Sequence, residues 1–490
     1  MARLSLPLAL GALGVLSALA ALLLPACGTD EPQERPRNVI LFLVDTLRAD
    51  RLGCYGYGRD TSPSIDRLAA RGTLYEGNYS QGCWTIPSMI SMMSGLYVFA
   101  EEERLPEKYP VLAEVVQTTS RLTAGFAGNL NLTHDRGFER GFDHFEGIPG
   151  GKCSAVVDRF VAWYGRERED IAAGPGFFAW IHSTDPHSRY APDEEFRKFK
   201  GQRRLDQEKL VPMWREQEDR AEELALEGAP KLRDAIQWMT THSNLYDGEV
   251  LAVDAAFQRL VAFLEEQGEL EDTLIVFASD HGEILWEQPH YPLEVQLRIE
   301  REGGLEQGVA NLFAVGHRAW FYEPLWNTPL IISGPGMPAD ARPGGLAANL
   351  DIYPTILHAL GLEIPEWLPG ESLWGGREPT RERVFGYGFN TTAVLDKSGL
   401  KLIEHMPRRY LLEEDAEQPL ELLDLNADPD EWKDVAEERP ADAARLKQAI
   451  AEWRAAVTRE YSTEVSRRAL DDLKKMGYVG DDGPQPDGEE

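Results

Sequence analysis

Short apolar runs, each closed by a polar or acidic residue, recur along the chain. Asn38–Asp45 reads NVILFLVD, Arg121–Gly128 reads RLTAGFAG, Gly176–Ser183 reads GFFAWIHS, Thr273–Asp280 reads TLIVFASD and Thr328–Gly334 reads TPLIISG. Unbroken apolarity over so few residues suits a strand covered on both faces. Helical patterns lie between the runs. In DTSPSIDRLAARG, Ser62 is placed as an N-cap and Pro63 in the first turn, Ile65, Leu68 and Ala69 share a face, and Gly72 ends the helix. A charged helical region covers 203–228 and an amphipathic one 244–267. This alternation predicts an α/β sandwich with a central, mostly parallel sheet, whose ligand crevice lies outside the carboxyl ends of the strands. From about 380 the pattern shortens. RVFGYGFNTTAVLDKSGLKLIEHM and LELLDLNADPDEWKDV read as short antiparallel strands, with a helix over 439–456 behind them. That predicts a small C-terminal α+β subdomain over 376–480, followed by a disordered tail over 481–490.

The N-terminus follows a different rule. Arg3 precedes the apolar LSLPLALGALGVLSALAALLL, and Leu24-Pro25-Ala26-Cys27 then leads into the polar GTDEPQERPR. This resembles a bacterial lipoprotein signal over 1–27 with Cys27 as the lipidated residue, followed by a linker over 28–36; an uncleaved membrane anchor is the alternative. Either places the catalytic domain, read as 37–375, outside the cytoplasm, at the periplasmic or cell-surface side of the envelope. Lipidation leaves Cys54, Cys83 and Cys153, so no dense disulfide scaffold is expected. The formal charge of −32 argues against nucleic acid or an anionic membrane surface as partners. An anionic substrate would need a local positive pocket built from a metal or a few Arg and His side chains. No fixed-period repeat is present, which excludes solenoids and propellers.

Three segments carry the candidate chemistry. Asp45 ends the first apolar run in VDTLRADRLGCYGY, Asp280-His281 ends a later one in SDHGE, and Thr85 lies in GCWTIPSMISMMSG. Carboxylates and an imidazole at strand ends can converge on a divalent ion. Singly, each has a plainer role as a turn former, a helix cap or a hydrogen-bonded pair.

Taken together and in this order, FLVD, DTSPSIDRLA, TIPSMISMMSG, SDHGE, TPLIISGPG and ELLDLNADPDEW resemble the sulfatase family of the alkaline phosphatase superfamily. The resemblance covers nearly all of the chain after the leader and implies an alkaline-phosphatase-like fold. Carried over residue by residue, Asp45 and Asp280 match metal-binding aspartates of that family. Thr46 replaces a second Asp, and His281 stands where sulfatases commonly have Asn. The added nitrogen favours Zn²⁺ or Mn²⁺ over Ca²⁺ or Mg²⁺. Sulfatases use a Cys-x-Pro-Ser-Arg motif whose Cys or Ser becomes formylglycine. Aligning on Pro87-Ser88 puts Thr85 at the nucleophile position and Met89 at the Arg, while Cys83 falls two residues early. A Thr cannot yield the aldehyde, so the resemblance implies an unmodified Thr85 nucleophile that is also a metal ligand. As N-cap of a helix over PSMISMMSG it would meet unpaired N–H groups that favour an anion.

The rest of the pocket departs further from the family. Asn129 and Asn131 occupy the places of a sulfate-binding Lys and His, and together with Arg48 they are the candidate substrate contacts. His187, in IHSTDPHSRYAP, and His317 are candidate acid or anion-holding groups, with Asp185 and His182 as neighbouring alternatives. A second metal held by Asp185, His187 and His317 or His290 is another use of these side chains. The connection over 284–316 is long enough for a lid or a surface insertion. These readings imply a metal-dependent hydrolase acting on an anionic sulfate or phosphate mono- or diester. A catalytically silent, lipid-anchored binding protein and a transferase to a cell-envelope acceptor are the rival readings.

Overall fold

The computed structural model describes residues 34–97, 103–201, 215, 232–285, 315–317, 321–388, 391–405 and 420–457. The signal segment with Cys27, the charged region 203–228 apart from Arg215, most of the 284–316 connection including His290, and the C-terminal tail lie outside the described residues. Among the described residues no helix is long and apolar enough to cross a membrane.

The five apolar runs form strands at or near the positions expected, β1 (Asn38–Val44), β3 (Leu122–Ala127), β5 (Phe177–Ser183), β6 (Thr273–Ser279) and β7 (Leu330–Ser333); two short strands that the pattern did not mark, β2 (Thr73–Leu74) and β4 (His144–Gly147), join them. They build one seven-stranded sheet in the order β2-β7-β6-β1-β5-β3-β4. The four pairings from β6 across to β4 are parallel, while β7 runs antiparallel to both β6 and β2. β1 is central, and all seven of its residues are buried.

Strand alternation sorts the side chains into two layers. Val39, Leu41 and Leu43 face a core shared with α2 (Thr85–Ser94) and α5 (Ile352–Ala359). Ile40, Phe42 and Val44 face the other core, shared with α1 (Pro63–Arg71), α3 (Cys153–Ala173) and α4 (Leu232–Gln267). Helix α1 begins after Ser62 and ends at Gly72, as its sequence suggests, and α4 starts earlier than the 244–267 pattern indicated. Every residue of α2 is buried, which explains its Met-rich, weakly amphipathic sequence.

The C-terminal segment forms an antiparallel sheet of β8 (Arg383–Gly388), β9 (Thr391–Asp396), β10 (Leu400–His405) and β11 (Leu420–Asp424), with α6 (Pro440–Ala456) packed on it. A buried charge cluster ties this sheet to the main body. Lys401 Nζ lies 3.0 Å from Glu323 Oε1, also pairs with Glu431, and sits 5.5 Å from the Trp326 ring centroid. Glu323 belongs to a short helix, Glu323–Trp326, packed against the main sheet's core. Cys54, Cys83 and Cys153 are free thiols.

The Phe42 ring lies 5.2 Å from that of Phe257 on α4 and 5.6 Å from that of Phe277 on β6. Replacing a fully buried Phe by Ala costs about 3–5 kcal/mol, through lost burial and the cavity left behind. Phe42→Ala is therefore expected to lower unfolding stability by about that much in denaturant titration. A loss below about 1 kcal/mol would contradict the packing described.

Candidate active site

The polar ends of β1, β5 and β6 meet on the α2 side of the sheet. Parity puts them there. Asp45 continues the face of Val39, Leu41 and Leu43, Asp280 that of Val276 and Ala278, and His182 that of Phe178 and Trp180. Register places Val44 beside Ser279, so Asp45 and Asp280 emerge side by side; both are fully buried.

Immediately after Asp45 the backbone turns sharply. Thr46 has φ +56°, an unfavourable region for a β-branched residue. It is held there by Tyr246 of α4, whose hydroxyl donates to Thr46 O (2.7 Å) and accepts from Arg48 N (3.0 Å). The turn also brings Thr46 N within 3.3 Å of Asp280 Oδ1, which accepts from His281 N at 2.9 Å. On the other carboxylate, Asp45 Oδ2 accepts from Asn129 Nδ2 at 2.6 Å. Each aspartate thus has one oxygen satisfied. Asp45 Oδ1 and Asp280 Oδ2 have no hydrogen-bond partner among the described residues.

His281 faces both of these oxygens. Its Nδ1 lies 2.8 Å from Gly282 O, which places the ring proton on Nδ1. The Nε2 lone pair then lies 3.6 Å from Asp45 Oδ1, 3.5 Å from Asp280 Oδ2 and 3.4 Å from Thr85 Oγ1. Burial lowers the His281 pKa and so favours the neutral, ligating form. Burial and then the Asp280 charge push the Asp45 carboxyl above its usual range. Against its own burial, Asp280 is held below its usual range by the His281 and His182 imidazoles. Two buried carboxylates with one unpartnered oxygen each, facing an imidazole lone pair and a hydroxyl, suit a divalent cation.

Thr85 is the first residue of α2 rather than its N-cap, correcting the sequence expectation by one position. Trp84, with an extended backbone, occupies the cap. The Thr85 hydroxyl lies 3.4 Å from both His281 Nε2 and Asn129 Nδ2. Gly82 shapes the turn leading into the helix, since a Cβ there would come within 2.8 Å of both Ser88 N and Ser88 Oγ. Cys83 is buried in the core, its sulfur against Gly388.

A second group of side chains borders the first. The His317 ring lies 4.4 Å from His281 and 4.9 Å from His187, centroid to centroid. Its Nδ1 is 2.8 Å from Glu283 Oε1, and the other Glu283 oxygen accepts from Tyr190 Oη at 3.2 Å. His187 Nδ1 lies 2.7 Å from Ser188 O. Burial lowers the His187 pKa, but the Asp45 and Glu283 charges outweigh it and the net shift is upward. Glu283 stands in the SDHGE motif and received no role from the sequence. Its proximity to Asp280-His281 was the available signal, whereas nothing in the sequence pointed to Tyr190 or Tyr246.

Asp45, Thr85, Asn129, Asp280, His281, His187 and His317 therefore gather at one place. Arg48 points elsewhere: its guanidinium pairs with both oxygens of Asp50 (2.8 and 2.7 Å) and donates to Glu283 O at 3.2 Å. Its short distance from Asp45 in sequence suggested a substrate contact, but Asp50 and the Glu283 carbonyl hold it. Asn131 is half-buried, and its backbone N–H donates to Asn129 Oδ1 at 2.8 Å, which orients the Asn129 amide. Asp185 is not brought into the group. Its Oδ2 accepts from Cys153 N at 3.0 Å, which commits that oxygen to the start of α3.

The chain is 26% identical over 353 residues to a low-salt glycan biosynthesis sulfotransferase of Haloferax volcanii, covering 71% of this chain and 66% of that protein, just under two thirds of its length. It is 22% identical to an N-acetylglucosamine-6-O-sulfatase of Bacteroides thetaiotaomicron, covering 72% of this chain and 73% of that protein. A phosphonate monoester hydrolase structure from Agrobacterium radiobacter superposes with a TM-score of 0.62 at 19% identity, over 86% of this chain and 96% of the other, and shares the fold. The profile of the sulfatase family matches residues 37–362, and the chain belongs to that family.

Proposed function

We propose that this protein is a metal-dependent hydrolase of sulfuric or phosphoric esters that uses an unmodified Thr85 as nucleophile. The observation that carries the reading is the Thr85 hydroxyl, which lies 3.4 Å from both His281 Nε2 and Asn129 Nδ2 beside two buried carboxylates. Asp45, Asp280 and His281 would hold the divalent ion, with Thr85 as a further ligand. The ion would supply positive charge that favours the ionised hydroxyl and offsets charge developing on the transferred group. The imidazole nitrogen in this set favours Zn²⁺ or Mn²⁺ over Ca²⁺ or Mg²⁺.

Thr85 Oγ, its proton released to solvent, then attacks sulfur or phosphorus. A bond forms from Oγ to that atom, the bond to the ester oxygen breaks, and the departing oxygen takes a proton. His317 or His187 provides that proton through Nε2, since the Nδ1 atoms are committed to Glu283 and to Ser188 O. Water subsequently cleaves the Thr85 ester and restores the hydroxyl. Asn129 orients both the Asp45 carboxylate and the nucleophile, and its amide is available to an oxyanion. The absence of the formylglycine route, with His281 in the metal set, tilts the substrate toward phosphate esters, diesters and phosphonates. The similarity to the Haloferax sulfotransferase favours a second reading, transfer to an acceptor hydroxyl in place of water.

A panel of nitrophenyl phosphate, bis-phosphate, phosphonate and sulfate esters, assayed with and without an added alcohol acceptor, tests both readings. Thr85→Ala is expected to lower kcat/KM by about a thousandfold or more, as loss of a nucleophile does. Wild-type turnover retained in that variant would rule Thr85 out. No turnover and no bound metal in the wild type would support the silent binding protein instead.

Stripping the metal with a chelator is expected to abolish turnover and to lower the melting temperature, because Asp45 and Asp280 lose their counter-charge. Readdition of Mn²⁺ or Zn²⁺, but not Ca²⁺, should restore both. A melting temperature insensitive to chelation would contradict the site.

The leader ending at Cys27 supports an exported protein held at the cell envelope by lipid. Cys27→Ala is expected to move the protein out of the detergent-extracted membrane fraction. Unchanged membrane retention would favour the uncleaved anchor.

A further inference from the structure

His182 stands beside the proposed metal ligands and has been given no function. It sits near the end of β5, opposite Leu43 of β1, and is fully buried. Neither ring nitrogen has a hydrogen-bond partner among the described residues. A buried polar group left unpaired costs about 1–3 kcal/mol, so a side chain of this kind calls for a missing partner. The nearest polar atom recorded for it is Asp280 Oδ2, at 4.0 Å from His182 Nε2. That is too long for a hydrogen bond and about 0.6 Å longer than the separation of two donors on one tetrahedral ion. It is also the Asp280 oxygen that lacks a partner and faces His281 Nε2 at 3.5 Å.

One donor atom from each of Asp45, His182 and Asp280 lies within 4.8 Å of the others. Two donors bonded to one tetrahedral Zn²⁺ are about 3.4 Å apart, so closing this group on an ion requires shifts of about an ångström. We propose that His182 Nε2 is a ligand of the divalent ion held by Asp45, Asp280 and His281. The inference rests on the reading of those three residues as a metal site and extends it to two carboxylates and two imidazoles. Ligation through Nε2 places the ring proton on Nδ1, where a buried water can accept it. The Trp180 ring lies edge-on to that of His182, 6.1 Å between centroids. A second nitrogen donor strengthens discrimination against Ca²⁺ and Mg²⁺ and in favour of Zn²⁺ or Mn²⁺.

The test uses the purified protein, stripped of metal and reloaded with Mn²⁺ for pulsed electron paramagnetic resonance, which counts imidazole nitrogens bound to the ion. Zn²⁺ affinity is measured in parallel by competition with a chelating dye. The wild type should show two bound imidazoles, and His182→Asn should show one. That variant should also lose Zn²⁺ affinity by about tenfold or more while changing less toward Ca²⁺. A single imidazole in the wild type, or a variant within about twofold of wild-type Zn²⁺ affinity, would overturn the proposal. Should His182→Asn fail to fold, the wild-type nitrogen count decides by itself. Uptake of no ion at all would remove the metal site altogether, an outcome distinct from an ion bound through one imidazole.

Discussion

Asp45 and Asp280 are buried next to one another, and the architecture around them serves to make that tolerable. Bringing two like charges out of water is costly unless each is hydrogen-bonded and opposed by positive charge. Here the cost is divided. One oxygen of each carboxylate is met by protein donors, namely Asn129 on Asp45 and the Thr46 and His281 N–H groups on Asp280. The remaining oxygens are left toward His281, where a cation would complete the balance. The strained turn at Thr46 is part of this arrangement, because it aims a backbone donor at Asp280. Tyr246, reaching across from α4, keeps the turn in place.

This dependence makes the strand register a functional constraint. Val44 and Ser279 are partners, which sets the two aspartates side by side at the next position. A slip of one residue would move one carboxylate to the opposite face of the sheet. The long apolar ladders of β1, β5 and β6 therefore do more than fill the core: they hold the alignment on which the charge arrangement rests.

Much of this was legible in the chain. The main strands are apolar throughout because both faces are covered, and such runs stand out against the polar helical segments. Asp45, Asp280 and His281 stood out as candidates because they close apolar runs, whereas Thr85 and Asn129 were singled out through the resemblance to sulfatase motifs. His182 was open to the same parity argument, since Phe178 and Trp180 already mark its face. Other features depend on contacts between distant segments. Tyr246 and Tyr190 lie on separate parts of the chain and resemble ordinary core aromatics. Arg48 looked available because the pattern did not show Asp50 and the Glu283 carbonyl closing around it. The cap of α2 differed by one residue, because an extended Trp84 takes the position a Thr would ordinarily fill.

The short helix Glu323–Trp326 connects these parts. Gly282, next to His281, donates its N–H to Leu325 O at 2.8 Å, and a Cβ on Gly282 would lie 2.0 Å from Pro324 O. Trp326 Nε1 donates to Ser80 O at 2.6 Å, just ahead of the turn into α2. Lys401, from the C-terminal sheet, supplies the cation beside Glu323 at the start of that same helix. One helix of four residues thus braces both the loop that carries Asp280 and His281 and the approach to Thr85, and its own charge is balanced from beyond the family match, which ends at residue 362. The boundary of sequence similarity is therefore not the boundary of the cooperative unit. A chain cut there would keep every proposed catalytic residue and lose the lysine that lets their shared brace stay buried.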